Sequence, residues 1–209
     1  KQSWRENLED GKVPMRCAVE IDGTTTPLNE VSKKLPLAFS AADDNLLFVL
    51  EDISEGPAKG KLTASLSDFI NILGLCHGKE IHEGGRDGYL MVDESITPTF
   101  VRMALDEDSG ELVLSIHSEV DEPLTCVVSG GSGWILQQEI FTKLDKVLPG
   151  PLSKIYDGPV RIPRAAIPAF LKNELPMLEK LMPLETHIYP DLFSLSPAKP
   201  RFRLAVEGT

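Results

Sequence analysis

The run Thr99-Phe100-Val101-Arg102-Met103-Ala104-Leu105 alternates with period two, turns at Asp108-Ser109-Gly110, and alternates back through Glu111-Leu112-Val113-Leu114-Ser115-Ile116-His117. Period two puts successive side chains on opposite faces of a strand, so two such runs around a tight turn predict an antiparallel hairpin with one face toward a core. A second hairpin is expected from Lys79-Glu80-Ile81-His82 and Tyr89-Leu90-Met91-Val92-Asp93, which flank Gly84-Gly85-Arg86-Asp87-Gly88. Leu124-Thr125-Cys126-Val127-Val128 continues the strand pattern. The loop Gly130-Gly131-Ser132-Gly133 then leads to a short strand at Trp134-Ile135-Leu136.

Helical signals lie on either side of this strand-rich middle. Ser40 is placed to cap a helix, with Asp43 three residues on and Leu46, Leu47, Val49, Leu50 and Ile53 along one face. Ser54-Glu55-Gly56-Pro57 ends it. A second helix is expected from Ser67, as cap, to His77, with Phe69, Ile70, Leu73 and Leu75 buried and Gly78 as its stop. A long helix is expected over about Ala165 to Leu181, with Pro168 tolerated in its first turn and Pro176 breaking or kinking it. A short strand is expected at Arg16–Ile21 before a turn at Asp22-Gly23, and a last strand at Arg201–Glu207. There is no internal repeat. Helices and strands cluster instead of alternating, so the expected fold class is α+β, antiparallel β-sheet with a few packing helices. Residues 1–39 are expected to be a polar extension or the end of a preceding module. Residues 40–209 would form the α+β domain, with any sub-boundary near 150.

A hydrophobic content of 42% with 25% charged residues is that of a folded globular chain. No apolar run approaches the roughly 20 residues of a membrane span, so no membrane partner is expected. No signal segment follows Lys1, and Cys17, Cys76 and Cys126 are too few and too scattered for a disulfide framework. A cytoplasmic protein with reduced thiols is the expectation. The chain starts without Met and stops at Gly208-Thr209 after a strand-like run, as an excerpt of a longer polypeptide would.

The net charge of −11 disfavours a chain that coats nucleic acid, because neutralising phosphates needs an excess of Lys and Arg. The charge is uneven. Residues 1–149 hold 13 Lys/Arg against 26 Asp/Glu, and residues 150–209 hold 8 against 6. The candidate contact residues are therefore Arg161, Arg164, Arg201 and Arg203, with phosphate, an acidic partner surface or merely water as what they meet. Arg201 and Arg203 share one strand face, opposite Phe202, Leu204 and Val206. Trp134 and Tyr156 are expected to be core anchors rather than stacking platforms.

Motifs for chemistry fail on inspection. Gly56-Pro57-Ala58-Lys59-Gly60-Lys61-Leu62 has three residues where a P-loop has four, and Leu62 stands where a magnesium-binding hydroxyl belongs. The Gly130–Gly133 loop lacks the third glycine of a dinucleotide fingerprint, and Trp134 replaces the closing glycine of a nucleophile elbow around Ser132. His77, His82, His117 and His187 form no metal-ligand pattern. The carboxylates fall at a helix start, a helix end, a hairpin turn and a loop, where capping and solvation explain them. No catalytic residue, cofactor or metal is expected in this chain.

In order, Asp43-Asp44-Asn45-Leu46-Leu47-Phe48-Val49-Leu50-Glu51-Asp52, Gly133-Trp134, Leu148-Pro149, Ile162-Pro163-Arg164, Phe170-Leu171, Glu174-Leu175-Pro176, Pro190-Asp191-Leu192-Phe193 and Pro200-Arg201-Phe202-Arg203-Leu204 resemble the helicase-associated region N-terminal to the motor of bacterial Swi/Snf-family helicase-like ATPases. The resemblance covers about Ser40 to Thr209. It implies an accessory domain of a DNA-dependent ATPase, with the C-terminal ATPase motor of the same polypeptide, and duplex DNA or a DNA-bound protein, as its partners. ATP and magnesium would be bound by that motor beyond residue 209. A free-standing acidic protein-interaction module is the alternative, and a small hydrolase with converging carboxylates a third reading.

Overall fold

A computed structural model describes residue 8 and residues 10–31, 39–82 and 89–188. Strand β1 (Lys12–Arg16) pairs antiparallel with β4 (Lys61–Ser65), while β2 (Ala18–Ile21) and β3 (Thr24–Pro27) form a hairpin around Asp22-Gly23. The strand expected over Arg16–Ile21 is thus split at Cys17. The Cys17 N–H donates to Gly60 O at 3.2 Å and its carbonyl accepts from Leu28 N–H at 3.0 Å, so its bonds leave both ladders. A single helical turn, α1 (Leu28–Val31), follows.

Helix α2 (Ala41–Ser54) begins as its sequence requires: Ser40 Oγ accepts from the Asp43 N–H at 3.2 Å. Helix α3 (Leu66–Leu75) is capped by Ser65 and not by Ser67. With Ser65 as cap, the third helical residue is Asp68, whose carboxylate returns a bond to the Ser65 N–H at 3.3 Å while Ser65 Oγ accepts from the Asp68 N–H at 3.1 Å. A cap at Ser67 would put Ile70 there, which has nothing to return. Phe69, Ile70, Ile72 and Leu73 are buried, whereas Leu75 is half-buried.

The remaining strands form two sheets. The first, in the order β5-β6-β11-β10-β9, comprises β5 (Glu80–His82), β6 (Tyr89–Thr97), β9 (Thr125–Ser129), β10 (Ser132–Gln137) and β11 (Ile140–Leu144). The second, in the order β12-β8-β7-β13, comprises β7 (Thr99–Leu105), β8 (Leu112–Ser118), β12 (Val160–Ile162) and β13 (Leu184–Thr186). The fold class is α+β, as the clustering of elements predicts. The sheets are mixed rather than purely antiparallel, because β11 runs parallel to β6 and β13 parallel to β7. Both parallel pairs join strands far apart in sequence, which alternation within a strand cannot reveal. The turn expected over 84–88 and the strand expected at 201–207 lie outside the described residues.

The first sheet is the middle layer. Trp134, Leu136, Val127 and Phe141 point toward α2 and α3 and form one core with Phe69 and Leu73. Ile135 and Leu144 point the other way, into a second core with Val101, Met103, Leu112 and Leu114 of the second sheet. The second core is closed by a 3-10 helix (Gly150–Tyr156), α4 (Ile167–Asn173) and α5 (Leu175–Leu181). The single helix expected over Ala165–Leu181 is broken at Glu174, because Pro176 has no N–H to give and fits only in the first turn of a new helix. Trp134 and Tyr156 are both buried, as core anchors should be.

Strand β10 sets the spacing of the layers. Gly133, Trp134, Ile135 and Leu136 are buried in succession, the signature of a strand covered on both faces. At Gly133 a Cβ would lie 2.6 Å from Leu144 Cδ1, 2.9 Å from Val128 Cγ2 and 3.2 Å from the Val127 carbonyl. Space, not backbone angle, demands glycine there. The following β10–β11 turn uses Gln138 (φ 50°) and Glu139 (φ 64°), two side-chain-bearing residues in the left-handed region.

Two outcomes follow from this geometry. Gly133→Ala should lower unfolding stability by about 1–3 kcal/mol through overpacking, read as a fall in melting midpoint. Glu139→Gly should raise it by about 1 kcal/mol by relieving the left-handed penalty; the Glu139 carbonyl that accepts from Met91 N–H is retained.

Candidate functional site

Of the four candidate contact arginines, Arg161 and Arg164 lie among the described residues, and Arg201 and Arg203 lie outside them. Arg161 sits on β12 opposite Val113, on the outer face of the second sheet. Its guanidinium is already engaged: Nη1 donates to Asp106 Oδ2 at 2.7 Å and approaches Glu111 Oε2 at 3.4 Å. Both acids flank the β7–β8 turn, where Asp106 Oδ1 also accepts from the N–H groups of Asp108 and Ser109. Arg161 is therefore a brace between β12 and that turn, and an external anion would have to displace two carboxylates. Arg164, in the turn before α4, is exposed and has no ion-pair partner among the described residues. It is the more available cation of the two.

The same outer face carries a half-buried group that sequence reasoning missed. Phe100 stacks on His117 with ring centroids 5.8 Å apart, and the Arg102 guanidinium lies 5.8 Å from the Phe100 centroid. Arg102 is held by Glu185 at 3.2 Å. Ser115 Oγ lies 2.9 Å from His117 Nε2. Burial first and Arg102 second push the His117 imidazole below its usual value, against the pull of Glu185 and Asp121. His117 is thus neutral at pH 7 and takes part in an ordinary strand-face hydrogen bond. Strand alternation alone could have put Ser115, His117 and Phe100 on one face; their cross-strand partners needed the register.

A cleft of about 980 Å³ opens beside β9. One wall comes from the helix side, with Leu8, Gly11 and Leu66. The other comes from Ser115–His117 of β8 and from Ile155–Pro159, and the floor is Leu124–Val128. Asp121, Glu122 and Asp157 contribute the charge; the described lining contains no Lys or Arg. The loop carrying Asp121 and Glu122 is pinned by Gln137, whose Nε2 donates to the carbonyls of Val120 (3.1 Å) and Glu122 (2.9 Å) while its Oε1 accepts from Ser118 at 2.8 Å.

Other motifs resolve into structure. Gly130 and Gly131 (φ 58° and 83°) make the two-residue turn between β9 and β10. Gly56–Gly60 connects α2 to β4, and Lys61-Leu62 already belong to the strand. Burial raises the thiols of Cys76 and Cys126 to about 11 and about 12, which keeps both protonated. Lys79 pairs with Asp43 and joins the start of α2 to the segment after α3. Among the described residues no three potential ligands converge on a metal-sized site, and no helix is long and apolar enough to cross a membrane. No protein-family model, curated protein or solved structure matches the chain.

The brace has a pH signature. The Arg161 bond first, and the Ser109 N–H second, hold the Asp106 carboxyl below its ordinary value; Lys79 and then Ser40 do the same for Asp43. A depressed carboxylate stabilises the fold fully above its unfolded-state value near 4, and that contribution is lost as pH falls through the lower folded-state value. In Arg161→Ala, the NMR-detected titration of Asp106 should move up toward the ordinary carboxylate range while that of Asp43 stays put. An unmoved Asp106 midpoint would show that the turn, not Arg161, sets it.

Proposed function

We propose that this chain is a non-catalytic accessory domain of a DNA-dependent ATPase of the Swi/Snf helicase-like superfamily, acting in the cytoplasm. It assists nucleic-acid or partner engagement by a motor that follows residue 209. The motor, with its ATP and magnesium, is the domain's first partner.

The observation that carries the reading is where the resembling strings fall. Leu148, Ile162, Phe170-Leu171 and Leu175 all pack into the core between the second sheet and α4/α5. Leu46, Leu47, Val49 and Leu50 pack into the core on the helix side. Strings that recur in order because they build a scaffold are what an accessory domain would share with its relatives; a shared active site would instead repeat exposed polar groups. The engagement of Arg161 by Asp106 and Glu111 directs any DNA contact to Arg164, Arg201 and Arg203. The acidic cleft beside β9 favours, as a second reading, an interaction module that takes a basic protein partner.

Two measurements test the proposal. The native gene read past the codon for Thr209 should encode a strand followed by Gly-x-x-x-x-Gly-Lys-Thr; a nearby stop codon would remove the motor and leave the interaction-module reading. The purified 209-residue chain should turn over no ATP with magnesium and should bind duplex DNA weakly. The double variant Arg201→Ala/Arg203→Ala should bind more weakly still and with a flatter salt dependence, since each phosphate no longer neutralised by an arginine reduces the slope by about 1. Magnesium-dependent ATP turnover would overturn the non-catalytic assignment.

A further inference from the structure

The middle sheet ends at β9, and among the described residues no strand pairs with its outer edge. In the β9–β10 hairpin the two-residue turn Gly130-Gly131 fixes which residues exchange ladder bonds: Ser129 with Ser132, Val127 with Trp134, and Thr125 with Leu136. That parity turns the N–H and C=O groups of Cys126 and Val128 away from β10, toward the cleft. None of these four groups bonds to another backbone group among the described residues outside the ladders. Leu66 of α3 lines the cleft on the helix side, and Ser115–His117 of β8 line it on the side of the second sheet.

We propose that this cleft receives an extended cationic peptide segment of a partner protein, which pairs as a sixth strand along β9. Cys126 and Val128 offer two donors and two acceptors, enough to anchor a segment of about five residues along the length of β9. Alternate side chains of the guest meet the two walls, Leu66 on the helix side and Ile155 with Tyr156 on the other. The partner's charge is set by Asp121, Glu122 and Asp157, three carboxylates in a described lining without Lys or Arg. The first two are held in place by Gln137, and Gln138 Nε2 donates to the Glu122 carboxylate at 3.0 Å. A guest with Lys or Arg at its ends gains these charges. A guest with Asp or Glu is repelled.

This inference rests on the reading of the chain as a domain that engages partners, and its test is separate from that of the motor. The probe is a blocked peptide, Lys-Val-Thr-Val-Thr-Val-Lys, titrated into the full chain with hydrogen exchange read residue by residue. Binding should slow the Cys126 and Val128 amides at least tenfold and leave Val127, already bonded to Trp134, unchanged. The same peptide N-methylated at alternate residues should bind at least tenfold more weakly, as should the version with Glu at both ends. Asp121→Asn/Glu122→Gln should weaken the Lys peptide severalfold and erase most of its salt dependence, without altering Val127 exchange in the free protein. Equal binding of the N-methylated or the Glu-ended peptide would overturn the proposal, as would an absence of new protection at Cys126 and Val128. It would equally fail if both amides are already protected in the free chain, for then a segment of the chain itself or a second copy occupies the edge. A missing motor in the gene would leave these results untouched, and a failed titration would leave the motor question untouched.

Discussion

Everything in this fold is referred to the double burial of β10. Four residues in succession, Gly133 to Leu136, are buried, so side chains of both parities must be apolar or absent. Ile135, fully buried, holds the second sheet at a contribution of about 1.5–3 kcal/mol, and Trp134 and Leu136 hold the helices on the reverse face. Gly133 lets Leu144 and Val128 approach across the position where a side chain would otherwise stand. Strands β9, β10 and β11 each send side chains into both cores, which makes the helix layer and the second sheet dependent on the same sheet.

That dependence explains which parts of the fold were legible in the sequence. The β7–β8 hairpin was legible because both strands have one buried face and a tight turn, and local alternation records both. Helix α2 was legible from its cap. Helix α3 was legible too, although its cap is Ser65 and not the expected Ser67, as the reciprocal bond from Asp68 shows. The strand at Trp134-Ile135-Leu136 was legible as a strand but not as the neighbour of the edge strand β9, since an apolar run records burial and not strand order. Strands β11 and β13 left no readable signal: Ile140-Phe141-Thr142-Lys143-Leu144 carries a bulge against β6, and Leu184–Thr186 is three residues long. Both make parallel pairs whose partners lie far back in the chain.

The candidate site was less legible than the fold, for an electrostatic reason. Counting Lys and Arg after residue 150 identifies a basic end but cannot say which cations are already used. Arg161 is used, by two acids contributed from a turn about fifty residues earlier, and no spacing rule connects them. The carboxylates divide in the same way. Asp43, Asp106 and Glu111 serve capping or bracing, whereas Asp121 and Glu122 from one loop and Asp157 from another line the cleft. Composition sees one acidic surface where the register shows two populations with different work.

The edge of β9, unpaired among the described residues, carries a hazard that the fold has to manage. An unpaired strand edge is a template for any other extended chain, and natural sheets guard such edges with charge, bulges or cover. Within Thr125–Ser129 there is no charge at all. The guard stands beside the strand instead, in Asp121, Glu122 and Asp157, and the net charge of −11 acts in the same direction. A second copy of the chain would bring its own excess of carboxylates to the edge and be repelled, while a cationic segment would be drawn in. The same three acids therefore discourage self-pairing and select the guest, which is how specificity arises from repulsion as much as from attraction. Moving the charge onto β9 itself would guard the edge equally well but would place it in the path of any incoming strand, so its position beside the strand is what leaves the four backbone groups of Cys126 and Val128 usable.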